Sequence, residues 1–138
     1  MKKYVLISCC SKKDPTKSLA RDLYISDLFT KSMAYARTIK PDKIFILSAK
    51  YGLLELDDKI CLYNETLKKK NENEKRIWAK NVLIKLSEKT NLDEDEFVFL
   101  AGKEYRKYLL PKIKNYEIPL SRFGIGKQLQ WLKENSNG

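Results

Sequence analysis

The sequence predicts a single α/β domain over residues 1–138, a three-layer sandwich built on a four-stranded, mostly parallel sheet. Three observations lead there. Short β-branched or aromatic runs alternate with helix-patterned segments along the whole chain. Those runs lack the apolar–polar alternation of half-exposed strands, so they belong in a sheet covered on both faces. A chain of 138 residues, 43% apolar and 11% aromatic, can also fill one core and little more.

Taken in order, residues 3–9 form the first strand. Ser26 is placed to cap a helix through about residue 38, with Phe29, Met33 and Ala36 on one face. Pro41 and Asp42 break it, and "KIFILSA" at 43–49 is the second strand. An irregular stretch containing "DDKICLYNETL" follows. Residues 72–89 then form an amphipathic helix with Trp78, Val82 and Leu86 at core spacing. "EFVFLAG" at 96–102 is the third strand, leading into a helix that carries Tyr105, Leu109 and Leu110 and ends near Pro111. "YEIPL" at 116–120 is a short fourth strand, and "GKQLQWLKE" is the last helix. The chain shows no internal linker and no convincing long repeat.

Composition removes several function classes. No run approaches the about 18 apolar residues of a membrane span. The start "MKKYVLISCC" is basic then apolar, but too short and without a small-residue cleavage site, so it reads as a strand and not a signal peptide. Three cysteines make no disulfide framework, there is no histidine, and no cysteine pair has zinc spacing; a reducing cytoplasm is the expected location and no metal is expected. Charge is unevenly placed. Residues 1–50 carry 11 Lys/Arg against 4 Asp/Glu, residues 51–102 carry 9 against 11, and residues 103–138 carry 8 against 3. Basic ends suggest an anionic partner such as nucleic acid, although Lys68-Lys69-Lys70 reads as a solvated linker.

The four strand exits share one pattern. They read Ser8-Cys9-Cys10-Ser11-Lys12-Lys13, then Ser48-Ala49-Lys50-Tyr51-Gly52, then Ala101-Gly102-Lys103-Glu104-Tyr105, and finally Ser121-Arg122-Phe123-Gly124-Ile125-Gly126-Lys127-Gln128. Each has small residues followed by a cation. Any strand-to-helix turn favours small residues, so one such exit means little. In a parallel sheet, however, four of them share the edge where open α/β folds bind ligands. Small residues let backbone N–H groups approach an anion, lysine and arginine add charge, and Tyr24, Tyr51 and Tyr105 offer faces for a base. Neither "AGK" nor "GIGKQ" has the spacing of a nucleoside-triphosphate or dinucleotide loop.

Together "SCCSKK", "ARDLY", "LF…A-Y-A", "ILSAKYGLL", "YNETL", "FLAG-x-x-Y" and "PL…FGIGKQLQWL" resemble a family of small bacterial domains of formerly unknown function. That family is similar to the uracil-DNA glycosylase superfamily and to a domain of archaeal tRNA-base-modifying enzymes. Its members include antiviral glycosylases that remove bulky modified bases from phage DNA. The resemblance covers nearly the whole chain and implies a glycosylase-like fold and no organic cofactor. In uracil-DNA glycosylases the first loop reads Gly-Gln-Asp-Pro-Tyr, its Asp placing the attacking water; Lys13-Asp14-Pro15-Thr16 is similar but lacks the Gly, Gln and Tyr. Their last loop reads His-Pro-Ser-Pro before a Phe-Gly segment; here Pro119, Ser121, Phe123 and Gly124 match and the His is missing. That histidine stabilises the leaving base, so the resemblance requires a substitute, with Lys50, Lys127 or Tyr51 as candidates.

Glycosidic cleavage collects negative charge on the departing base while water approaches the sugar from the other side. In a duplex the nucleotide must first be turned out. Asp14 is the leading group for holding water, with Asn64 and then Glu65 behind it; Asp14 can equally be an ordinary Asp-Pro turn. Arg21 and Tyr24 could contact phosphate or base, or Arg21 and Asp22 could be surface charge. Tyr63 and Trp131 read as core. The expected activity is a DNA N-glycosylase acting on a modified base. The alternatives are a base-exchanging or nucleoside-processing transglycosylase on nucleotide or tRNA, and a non-enzymatic nucleotide- or nucleic-acid-binding module. If the basic ends contact DNA, affinity should fall steeply with salt. Lys12→Ala and Lys127→Ala should each then lower the slope of log affinity against log salt by about one, read by fluorescence anisotropy.

Overall fold

The computed structural model describes residues 1–10 and 12–136; Ser11, one of the candidate ligand contacts, lies outside them. The chain is an α/β protein with a mixed sheet of five strands, β1 (Lys3–Ser8), β2 (Lys43–Ser48), β3 (Gly52–Glu55), β4 (Glu96–Leu100) and β5 (Tyr116–Glu117). Five helices accompany them: α1 (Ala20–Leu23), α2 (Asp27–Thr38), α3 (Glu72–Lys89), α4 (Lys103–Arg106) and α5 (Ile125–Asn135). The strand order is β3-β2-β1-β4-β5. β2, β1, β4 and β5 run parallel, and β3 returns antiparallel along β2.

The expected four-stranded sheet is thus corrected to five strands. β3 is only four residues long, and its approach through Ser48-Ala49-Lys50-Tyr51-Gly52 reads like a turn into a helix. Instead the Ser48 hydroxyl accepts from the Tyr51 N–H at 3.1 Å and Gly52 takes φ +73°, a conformation that side-chain-bearing residues avoid. The chain reverses, and Leu53 and Leu54 pair with Leu47 and Ile46. β5 is shorter than expected because Pro119 has no N–H to extend a ladder. The expected helix after β4 is one turn of α4 and then a 3-10 turn at Leu110–Lys112 containing Pro111.

Period-two alternation sends β1 side chains to two cores. Tyr4 and Leu6 join Phe45, Leu47, Phe97 and Phe99 under α3, which contributes Trp78, Ala79, Val82 and Leu86. Val5 and Ile7 join Ile44, Ile46, Val98 and Leu100 under α1, α2 and α5, which bring Leu23, Phe29, Met33 and Leu132. Val5, Leu6, Phe45, Ile46, Leu47, Phe97 and Phe99 are all fully buried, and burying each such side chain contributes about 1.5–3 kcal/mol. Two caps set the helix starts. Ser26 accepts from the Phe29 N–H at 3.1 Å, and Asn71 with Glu74 forms a reciprocal capping box on α3.

The opposite end of the sheet is pinned by Asp95, which accepts from the Lys2 N–H at 3.0 Å and the Asn91 N–H at 2.9 Å. These two bonds, Asn91 first, hold its carboxyl below the ordinary value of 3.8. Asp95→Ala leaves both donors without the carboxylate and should cost about 1–3 kcal/mol at pH 7 in urea unfolding. Because the folded state favours the ionised form, this contribution is full above the unfolded value and is lost as pH falls through the folded one. The gap between wild type and Asp95→Ala should therefore close in acid.

Candidate active site

β1 is the strand at which the order of connection reverses, with β2 on one side and β4 on the other. Such a reversal opens a crevice at the carboxyl ends of open α/β sheets. A cleft of about 220 Å³ lies there. Ser8 from β1 and Gly102 beyond β4 meet on its wall, the Gly102 N–H donating to the Ser8 hydroxyl at 3.4 Å. Ser32 comes from α2, Ser121 from the β5–α5 connection and Gln128 from α5. Lys103 and Arg106 of α4 supply positive charge, and Arg106 is held by donating to the Ala101 carbonyl at 2.9 Å. Gln128 donates to the Phe123 carbonyl at 2.8 Å, closing the first turn of α5 over Gly124, its N-cap. Among the described lining residues there is no carboxylate. A narrower hollow of about 40 Å³ shares Ser8, Ser32 and Leu100 with the cleft and reaches Cys9 and Cys10.

Three of the four exits therefore converge. The second does not, because it is a hairpin and not a crossover. Lys50, Tyr51 and Gly52 border a separate depression of about 460 Å³ against α3, with Asn81 and Lys85 opposite. Lys50 instead stands over the Tyr51 ring, its ammonium 5.3 Å from the centroid.

Beneath the exits of β1 and β2 lies a ladder of buried hydroxyls. Tyr24 and Tyr63 share a hydrogen bond of 2.6 Å, and Ser48 donates to the Tyr63 oxygen at 2.8 Å. Trp78 donates to the Ser48 carbonyl at 2.8 Å. Burial pushes the Tyr24 phenol up to about 12 and drives Tyr63 upward as well, so both remain protonated donors at neutral pH. Tyr24, only 2% exposed and packed on Phe29, has no ring face left for a base. Ser48 is fully buried and acts as a structural hydroxyl. The Lys13 ammonium lies 4.5 Å from the centroid of the Tyr63 ring, fastening the loop after β1 to this ladder. Tyr105 shares a 3.3 Å hydrogen bond with the Cys9 thiol and stands edge-on to Trp78; burial raises its phenol too.

The acid candidates lie outside the cleft lining. Asp14 opens a local turn in which one carboxylate oxygen accepts from both the hydroxyl and the N–H of Thr16, at 2.7 and 3.0 Å. The same bonds hold its carboxyl below the usual range. Asn64 is exposed, and Glu65 pairs with Lys70 at 3.3 Å. Arg21 pairs with Asp57 at 2.6 Å and not with its neighbour Asp22. Lys12, Arg122, Gly124, Gly126 and Lys127 are exposed, and they, like Lys13, are not among the described residues that line the cleft. Ser32 and Arg106 were not singled out from sequence. Ser32 had a signal: it shares the apolar face of α2 with Phe29, Met33 and Ala36, where a serine is out of place.

The model of one protein family, described as a family of unknown function (DUF6884), matches residues 4–134. The chain belongs to that family. The DUF6884 match runs from β1 into the last turn of α5 and so takes in every wall of the cleft. No curated protein and no solved structure matches the chain. No helix among the described residues is long and apolar enough to cross a membrane.

The hydroxyl ladder makes a stability prediction. Tyr63→Phe removes the shared partner of Tyr24 and Ser48 and should cost about 1–3 kcal/mol in urea unfolding, whereas Tyr24→Phe breaks one bond and should cost less.

Proposed function

We propose that this DUF6884 domain is a DNA N-glycosylase that takes a modified base, turned out of the duplex, into the cleft between β1 and β4, in a role such as defence against phage. The observation that carries this reading is the cleft wall, where three serine hydroxyls, the Gln128 amide and two cations stand among apolar Leu28, Phe99, Leu100, Ile118 and Leu120, with no carboxylate among the described lining residues. A volume of about 220 Å³ lies below the roughly 300–1,000 Å³ of sites for drug-sized ligands, and it suits one base or a pentose. As the bond from the sugar C1′ to the base breaks, its electron pair goes to the base. Lys103, Arg106, Gln128 and the serines offer donors to that charge, with no carboxylate among the described lining residues. The motif likeness to uracil-DNA glycosylases supports the same wall, since Ser121 lines it and Phe123 and Gly124 lead into α5. A glycosylase-like three-layer fold is part of this proposal. Three free thiols suit a reducing cytoplasm.

Water must then reach C1′, and its placement falls to Asp14, which is ionised and engages Thr16 through a single oxygen. The same carboxylate-free lining favours a second reading, a binding module that holds a base or nucleotide and does no chemistry. The test is incubation with genomic DNA from phages of differing base modification, with released bases read by mass spectrometry. Release without additions supports the glycosylase. Transfer only with an added acceptor base supports an exchanging enzyme, and binding without release supports the module. On a confirmed substrate, Asp14→Asn should slow single-turnover release by about two to four orders of magnitude and leave binding nearly intact. Lys103→Ala removes a donor to the charge that develops on the base and should likewise slow release more than it weakens binding. Full activity in Asp14→Asn would remove that residue from the mechanism and make Asn64→Ala and Glu65→Gln the next variants.

A further inference from the structure

α3 carries apolar residues on both sides. Trp78, Ala79, Val82 and Leu86 face the core, yet Ile77 and Ile84 are 54% and 49% exposed. Seven residues apart, they lie two turns along one outer stripe. β-Branched residues lower helix propensity, and here only partial burial offsets that cost. Beside the stripe runs a groove of about 910 Å³ between α3 and the segment after α4. Its floor is apolar, made by Ala79, Leu83, Leu92 and Pro111, with Ile84 on the rim. Its charged groups are Arg76, Lys80 and Lys112 against Asp93, which Lys114 approaches at 4.0 Å. The Tyr108 ring lines the groove under the Arg76 guanidinium at 4.6 Å and the Lys107 ammonium at 5.2 Å. Among the described residues its buried hydroxyl has no hydrogen-bond partner, which in a native protein calls for an explanation. The groove shares no residue with the cleft.

We propose that the outer face of α3 docks an acidic amphipathic helix of a partner protein. Its apolar residues at i, i+3, i+4 and i+7 would lie along the groove floor and Ile84, and its carboxylates would meet Arg76, Lys80 and Lys112. Charge decides the occupant. A second copy docking through the same face would set these cations against themselves, and a nucleic-acid backbone would match the cations but leave the apolar floor and Ile84 uncovered.

The probe is a fluorescein-labelled synthetic peptide of about five helical turns, with leucines on one face and glutamates on the other, titrated with the full chain at physiological salt. Two controls keep its length: a scrambled peptide whose leucines share no face, and one with lysine for glutamate. Fluorescence anisotropy should show the acidic amphipath binding and both controls weaker by about tenfold or more. Ile84→Glu and Lys80→Glu should each weaken it about tenfold while circular dichroism and thermal unfolding show an intact fold. Lys133→Glu, on α5, should change it little. Absence of binding, equal binding of the scrambled peptide, or indifference to Ile84→Glu would overturn the proposal. So would a duplex oligonucleotide that displaces the peptide and itself loses affinity in Ile84→Glu, because the face would then belong to nucleic acid.

Discussion

β1 is paired in parallel on both edges, and the rest of the structure depends on that constraint. Its residues from Tyr4 to Ile7 are buried, Ile7 lies opposite Ile46 and Leu100, and the Cys9 N–H adds one more bond to the Leu47 carbonyl at 2.9 Å. A strand satisfied on both edges and both faces can release the chain only at the sheet's end. The segment after β1 goes to the side of α1 and α2, while Tyr105 after β4 packs in the other core. Exits that part in this way leave space between them, and the space is the cleft. Ser8 stands at its wall because it is the last residue of the doubly paired strand.

The same constraint explains the division of the basic exits. Three end strands whose chain runs on into a helical segment, and Ser8, Gly102, Lys103, Ser121 and Gln128 from those exits line one crevice. The exit of β2 folds back into β3, so Lys50 borders a separate depression against α3 while the Tyr51 ring meets Tyr63 and its hydroxyl donates to the Cys61 carbonyl at 3.3 Å. The tyrosines are divided in the same way. Tyr24 and Tyr63 spend their hydroxyls on each other and on Ser48 inside the core, tying the end of α1 and the segment after β3 to β2. Aromatic surface that could have stacked on a base is used there to hold a loop in place.

Cleft and groove differ in the chemistry their walls favour. The cleft is small, with hydroxyls, an amide and two cations set among apolar side chains and no carboxylate among the described lining residues, a wall that can favour negative charge on a small ligand. The α3 groove is larger and has an apolar floor with cations at its rim, which suits an extended amphipathic surface and not a single small polar ligand.

What the sequence determined by itself was local. The alternation of buried runs and helical segments, the Ser26 cap, the core faces of α2 and α3, and the small-then-basic exits all follow from residue spacing, and each can be read without knowing what lies across the fold. The local turn at Asp14 and Pro15 was legible too. Tertiary structure decided the rest. It made Ser48-Ala49-Lys50-Tyr51-Gly52 a hairpin, added β3, buried Tyr24, and brought Ser32 and Arg106 to the same cleft as Ser121 and Gln128. The physical reason is that hydrophobic period reports which face of an element is buried, while strand order and direction are set by pairing between residues distant in the chain. Those pairings decide which exits face one another, and no local pattern encodes them.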